Sequence, residues 1–212
     1  MTERYSASRA DSDIRRSMRS ERKPRIPSWA ALRAHWREDY AANGRGFWRP
    51  GFQAVALYRF GVWVDGHPNR FLRFPLRKLY KLLYLAVRNL YGIELPSMTR
   101  VGRRLHIGHQ SGIVISGFCT IGDDCLIHQN VTIGSPRGGM QPEERPRLGD
   151  RVEIGAGAVV LGPVHIGHDT RIGANTVVRE SVPPWSKVLP PVPEIRPRTS
   201  RPAEASRRPP PS

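Results

Sequence analysis

The 212-residue sequence predicts a parallel β-solenoid built of six-residue repeats, preceded by a small α-helical region. Three observations carry that prediction. Aliphatic residues recur at every sixth position: Val101, Ile107 and Ile113; Ile121, Ile127 and Ile133; then Ile154, Val160, Ile166, Ile172 and Val178. Gly often stands next, as at Gly102, Gly122, Gly155 and Gly173. Four residues after the aliphatic one comes another small or apolar residue, as at Leu105, Ser111, Cys125, Val131 and Ala158. A period of six is neither helical nor a simple alternating strand. It fits a triangular prism in which each hexapeptide makes one short flat side and a turn. The aliphatic residue and the one four later then point inward, and Gly relieves the corner. Stacked coils bury a continuous core that no single repeat buries alone.

Two breaks interrupt the period. Ile113 to Ile121 spans eight residues, a slip near Ser116-Gly117. Ile133 to Leu148 spans fifteen, so 135–147 must leave the coil as a polar loop carrying Gly138-Gly139 and three prolines. Long excursions from a rigid scaffold are where function concentrates. Cys119 and Cys125 fall on small inward positions and read as buried filler rather than as a disulfide or a nucleophile.

Upstream, the period is helical. Ser28 is placed to cap a helix over 29–40, with Trp29, Leu32, Trp36 and Tyr40 at helical spacing. A second helix is expected over 52–64 and a third over 75–90, with Pro75 in its first turn. The third carries an apolar stripe of Leu76, Leu79, Leu83, Val87 and Leu90, with Arg77, Lys78, Lys81 and Arg88 largely off it. Packing on neighbouring helices is the preferred reading of that stripe, and attachment to a membrane surface the lesser one. The expected organisation is a disordered basic tail (1–27), a helical region (28–93), the solenoid (94–182) with its excursion loop (135–147), and a Pro/Arg-rich tail (183–212).

The formal charge is +16, from 34 Lys and Arg against 18 Asp and Glu. The two tails, with 8 basic against 4 acidic and 6 against 2, hold half of that surplus. No basic run is interleaved with aromatics, so nucleic acid is not the expected partner; a phosphorylated small molecule suits the remainder. The first residues lack the apolar core of a signal peptide, and no apolar stretch is long enough to span a bilayer. A cytoplasmic location is expected.

Particular segments carry a family resemblance, over about 51–193. His109-Gln110-Ser111-Gly112-Ile113-Val114 resembles the His-Ala-Thr-Gly-Ile-Val segment of the serine acetyltransferases, within the hexapeptide-repeat acyltransferases. Gln129-Asn130-Val131-Thr132-Ile133-Gly134 is similar to their Gln-Ser-Val-Thr-Leu-Gly run. Gly51-Phe52-Gln53-Ala54 and Tyr58-Arg59-Phe60-Gly61 resemble their last N-terminal helices. The lead-in Gly92-Ile93-Glu94-Leu95-Pro96 is shared with short members found beside polysaccharide genes.

The resemblance implies a left-handed parallel β-helix, acetyl-CoA as co-substrate with no permanently bound cofactor, and a homotrimer with active sites between neighbouring solenoids. Pairing of two trimers stays open. His109 takes the position of the catalytic base, and Glu94 that of the acid that orients it. Gly134 and Ser135 lie where the family supplies oxyanion donors. Ala156 and Ala174 leave room for the pantetheine arm, with Arg147, Arg171 or Arg179 as candidates for the CoA phosphates. The chemistry agrees: a serine hydroxyl needs a positioned base to attack a thioester. An acid behind an imidazole fixes its tautomer.

Departures fall on the acceptor. The family's His-Pro-Lys becomes Arg145-Pro146-Arg147, where Arg145 is suited to an acceptor carboxylate. The Asp before the base becomes Gly108, and Asp39 is only the nearest acid to a missing Asp-Pro-Ala. The acceptor is therefore L-serine or, second, a sugar hydroxyl in exopolysaccharide synthesis; a non-catalytic scaffold is a third reading. A lone histidine on a repeat protein is ordinarily a corner residue, and Glu94 is as well read as a plain surface carboxylate. A metal site like that of solenoid carbonic anhydrases is not expected, because no two histidines have the needed five-residue spacing.

Overall fold

The computed structural model describes residues 25–135, 145–192 and 194. Most of the predicted excursion loop, and the predicted tails up to 24 and beyond 194, lie outside the described residues.

Helix α1 (Trp29–Ala42) starts where Ser28 Oγ accepts a hydrogen bond from the Ala31 N–H at 3.1 Å. Helix α2 (Pro50–Gly66) places its proline at the first helical position, where no N–H is needed. Helix α3 (Arg70–Tyr91) begins five residues earlier than expected. Asn69 is the reason: its Oδ1 accepts from the N–H groups of Phe71 and Leu72, at 2.9 and 3.4 Å. Pro75 consequently lies inside the helix and not in its first turn. The expected packing stripe is also only partly used. Tyr80 alone is buried, with Leu76 and Val87 half-buried, while Leu79, Leu83 and Leu90 face outward.

The prism follows. Its strands are β1 (Ile93–Glu94), β2 (Arg100–Val101), β3 (His106–Ile107), β4 (Ile113–Ile115), β5 (Thr120–Ile121), β6 (Leu126–Ile127) and β7 (Thr132–Gly134), then β8 (Arg147–Leu148), β9 (Glu153–Ile154), β10 (Val159–Leu161), β11 (His165–Ile166), β12 (Arg171–Ile172), β13 (Val177–Val178) and β14 (Lys187–Val188). They pair in parallel as three faces: β1-β4-β7-β10-β13, β2-β5-β8-β11, and β3-β6-β9-β12-β14. The repeat was expected to stop before Pro183, but β14 adds a strand to the third face, Arg171 opposite Lys187.

Every six-residue aliphatic position points into the prism, from Val101 to Val178. Ser111 does not, although its spacing put it in the inward set. Its backbone is left-handed, at φ +89°, and is held by the Tyr91 carbonyl and the Asn130 N–H, so the side chain turns out to solvent.

The glycines act differently from the expected corner relief. None of Gly102, Gly122, Gly149, Gly155 and Gly173 has positive φ; the turn is made three residues after the aliphatic position, by Arg104, Asp124, Asn130, Arg151, Gly157, Asp169 and Asn175. The glycines instead let coils stack closely. A Cβ on Gly122 would lie 2.5 Å from the Gly149 carbonyl carbon, and one on Gly155 2.6 Å from the Ala174 nitrogen.

Helices α1 and α2 cover the open end of the first coil, whose backbone groups would otherwise lack partners. Asn43 Nδ2 donates to the Leu105 carbonyl (2.9 Å), and its Oδ1 accepts from the Ile107 N–H (3.1 Å). Tyr58 Oη donates to the Thr99 carbonyl (2.8 Å) and accepts from the Val101 N–H (3.1 Å). Arg59, 2% exposed, donates to the Val101 carbonyl and pairs with Asp39 at 2.8 Å. Asp39, the nearest acid to a missing motif, is thus a structural counter-ion.

Candidate active site

The edge between the third and first faces gathers four of the predicted site residues. Ile107 pairs with Ile127, Ile127 with Ile154, and Ile154 with Ile172. The residues two further on therefore lie along that edge: Gln129, Ala156 and Ala174 stack in register, and His109 stands above them, where the first coil carries two extra residues. His109 is exposed at the top of the row, and its ring centroid lies 6.4 Å from that of His128. Gly108 explains the approach: a Cβ there would stand 3.2 Å from His128 Nδ1. Behind them His106 is half-buried, and burial, aided by the charge of His128, holds it below the usual imidazole range. Ala156 and Ala174 keep the lower edge shallow, with the Asn175 N–H donating to the Ala156 carbonyl at 2.8 Å.

Glu94 sits on the first face, in β1 opposite Val114 of β4. No hydrogen bond joins it to His109 among the described residues. Its charge instead faces Tyr84 of α3, where burial first, and then Glu94, raises the phenol above its ordinary range.

The other predicted residues occupy the opposite edge of the first face. The excursion after Ile133 leaves the prism there, between the first and second faces. The slip expected near Ser116-Gly117 does not: Ile115, not Ile113, lies opposite Ile133, so the two extra residues fall between Ile107 and Ile115, at the edge that carries His109. Gly134 ends β7 against Ser116 of the coil above, and Arg145 Nη1 lies 4.0 Å from where a Gly134 Cβ would be. Arg145 is 5% exposed, and its Nε has no hydrogen-bond partner among the described residues. Gly134, Ser135 and Arg145 form one group, and His109, Gly108, Ala156 and Ala174 another. A strand of three residues, about 10 Å, separates the two.

Comparison with known proteins decides what this arrangement belongs to. The family described as bacterial transferase hexapeptide (six repeats) matches residues 145–180. The serine acetyltransferase of Helicobacter pylori strain J99 is 40% identical over 140 residues, covering 66% of this chain and 77% of that protein. The chain belongs to the serine acetyltransferase family. The Mycobacterium tuberculosis serine acetyltransferase is 39% identical over 143 residues, 68% of this chain, and the chain spans 59% of that longer relative. Soybean serine acetyltransferase solved with serine superposes with a TM-score of 0.61 at 28% identity, covering 74% of this chain and 65% of that one. The fold is accordingly the left-handed parallel β-helix expected from the sequence.

Within the serine acetyltransferase family, two residues of this chain gain meaning that spacing alone did not give them. His128 fills the room left by Gly108, where the family's motif has Asp. Gln129 lies on the same edge in the coil below His109, and its Oε1 is buried without a partner among the described residues. The sequence held a signal for Gln129, since it opens the second of the two family-like segments. His128 had none, because only the register of β3 on β6 brings it to Gly108.

Proposed function

We propose that the chain is an acetyl-CoA-dependent serine O-acetyltransferase, converting L-serine and acetyl-CoA to O-acetyl-L-serine and CoA. The observation that carries this reading is the placement of His109 on the same edge as Ala156 and Ala174 in a serine acetyltransferase solenoid. The exposed imidazole takes the serine hydroxyl proton as the oxygen attacks the thioester carbonyl. Backbone N–H groups at Gly134 and Ser135 stabilise the oxyanion. Collapse expels CoA as its thiolate, which recovers the proton from the imidazolium. Glu94 is assigned the part of the acid that holds the other nitrogen of His109. Arg145, whose Nε has no hydrogen-bond partner among the described residues, brings its guanidinium to the acceptor carboxylate.

These groups lie on opposite edges of one face, so the complete site takes one edge from each of two copies, in a homotrimer. The enzyme acts in the cytoplasm and feeds cysteine synthesis. That soybean serine acetyltransferase was solved in complex with serine supports the acceptor. Gly108 favours a second reading, in which the acceptor is a sugar hydroxyl, because it removes a carboxylate that would meet an amino group. CoA release measured with L-serine and with sugar acceptors separates the two. Turnover with serine is the expected result, and turnover with sugars alone would overturn it.

A further inference from the structure

Helix α3 has 22 residues, and only Tyr80 among them is buried. The side carrying Tyr80, Leu76 and Val87 faces the protein. Much of the rest of the circumference is apolar and open: Phe71, Leu72, Phe74, Leu79, Leu82 and Leu90 are exposed, from 46% at Leu79 to 91% at Phe71. Soluble proteins rarely leave so continuous an apolar surface uncovered, and such surfaces mark interaction sites.

The charges select the partner. The helix holds six Lys and Arg and no Asp or Glu. Arg70, Arg77, Lys81 and Arg88 follow one another at steps of seven, four and seven residues, each about a whole number of turns. These four form a basic row along one border of the apolar arc, while Lys78 rises within the arc, over the Phe74 ring at 4.6 Å. Arg77 leans on Asp65 at 3.6 Å, whereas Arg70, Lys81 and Arg88 have no carboxylate partner among the described residues. At the helix's C-terminal end, Tyr91 Oη donates to Gln53 Oε1 (2.5 Å), and Gln53 Nε2 donates to the Phe47 carbonyl (3.0 Å). That chain of bonds brings up the loop of Trp48, which is 90% exposed. Amphipathic aromatic rings of this kind settle at lipid–water interfaces.

We propose that this face of α3 lies in the headgroup layer of an anionic lipid bilayer, with its leucines and phenylalanines toward the acyl chains and its basic row on lipid phosphates. A second copy of the helix is disfavoured because two such faces would bring twelve positive charges together without a carboxylate. The chain's own tails carry a basic surplus and suit the face no better. Nucleic acid would meet the basic row but leave the apolar arc uncovered. No helix among the described residues is long and apolar enough to cross a membrane, so α3 lies along the surface.

The test is co-sedimentation of the full chain with phosphatidylglycerol/phosphatidylcholine vesicles and with pure phosphatidylcholine vesicles. Leu79→Glu/Leu82→Glu and Arg70→Glu/Lys81→Glu are compared with the wild type, and each variant is checked for an unchanged unfolding transition and CoA release. These four side chains are exposed, so folding should survive. Leu82→Cys carrying an environment-sensitive dye reports insertion separately. Binding to anionic vesicles only, weakened by at least about tenfold in both double variants, with a blue-shifted dye, is the expected result. Equal binding by wild type and variants would assign the attraction to the tails and overturn the proposal. Absence of binding, or a change of oligomeric state in Leu79→Glu/Leu82→Glu, would overturn it too, the latter in favour of a copy-to-copy contact.

Discussion

Arg59 shows how a single side chain ties the helical region to the prism. It spends its donors on Asp39 and on carbonyls of the first coil, while Tyr58 and Asn43 bond neighbouring backbone groups. Breaking a buried pair costs more than the pair contributes, because the surviving charge is left unpaired. Arg59→Ala is therefore expected to destabilise the fold by about 3–5 kcal/mol in urea unfolding. A loss under about 1 kcal/mol would show that water reaches Asp39 and that the pair is not the clamp described. The sequence placed Arg59 in a family-like helix but gave no hint of its partner, twenty residues away. Cys119 and Cys125 were fully legible: six-residue register put both inward, and burial pushes each thiol up to about 12, out of reach of thiolate chemistry at neutral pH.

Elements were legible wherever a repeat or a period specified them, and less so where a cap did. The prism's core positions follow from spacing because each aliphatic residue must fill the same small triangle. The early start of α3 depends on one Asn69 side chain, and β14 depends on pairing that a Pro-rich segment does not advertise. The edges differ in character. Between the second and third faces, Arg104 pairs with Asp124 and Arg151 with Asp169. Hydrogen bonds from Arg151 and then His168 hold the Asp169 carboxyl down at about 2. These pairs are exposed and stabilise little; the close stacking of glycine backbones matters more. Gly122→Ala is expected to cost about 1–3 kcal/mol, because its methyl meets the rigid backbone of the next coil. Gly108→Ala should cost clearly less, since it meets only the tip of His128, which has room to swing. Thermal unfolding of both variants checks the order; equal losses would mean that the coils are not held at backbone contact.

At the scale of the whole molecule, one chain presents two half-sites on opposite edges of a single face. The sequence named nearly all of their residues through resemblance, yet could not say that the two sets stand apart, because repeat spacing assigns a residue to an edge only after the strands are stacked. The proposed chemistry rests on His109 as base, at the exposed head of the row that ends in Ala174. The most direct measurement is the kcat for CoA release with L-serine and acetyl-CoA in His109→Ala, alongside its unfolding temperature and acetyl-CoA affinity. The account predicts a kcat lowered by about 10²–10⁴-fold with the other two unchanged, since the imidazole is exposed and far from the core. A kcat within about twofold of the wild type would contradict it, and the proton would have to leave the acceptor by another route.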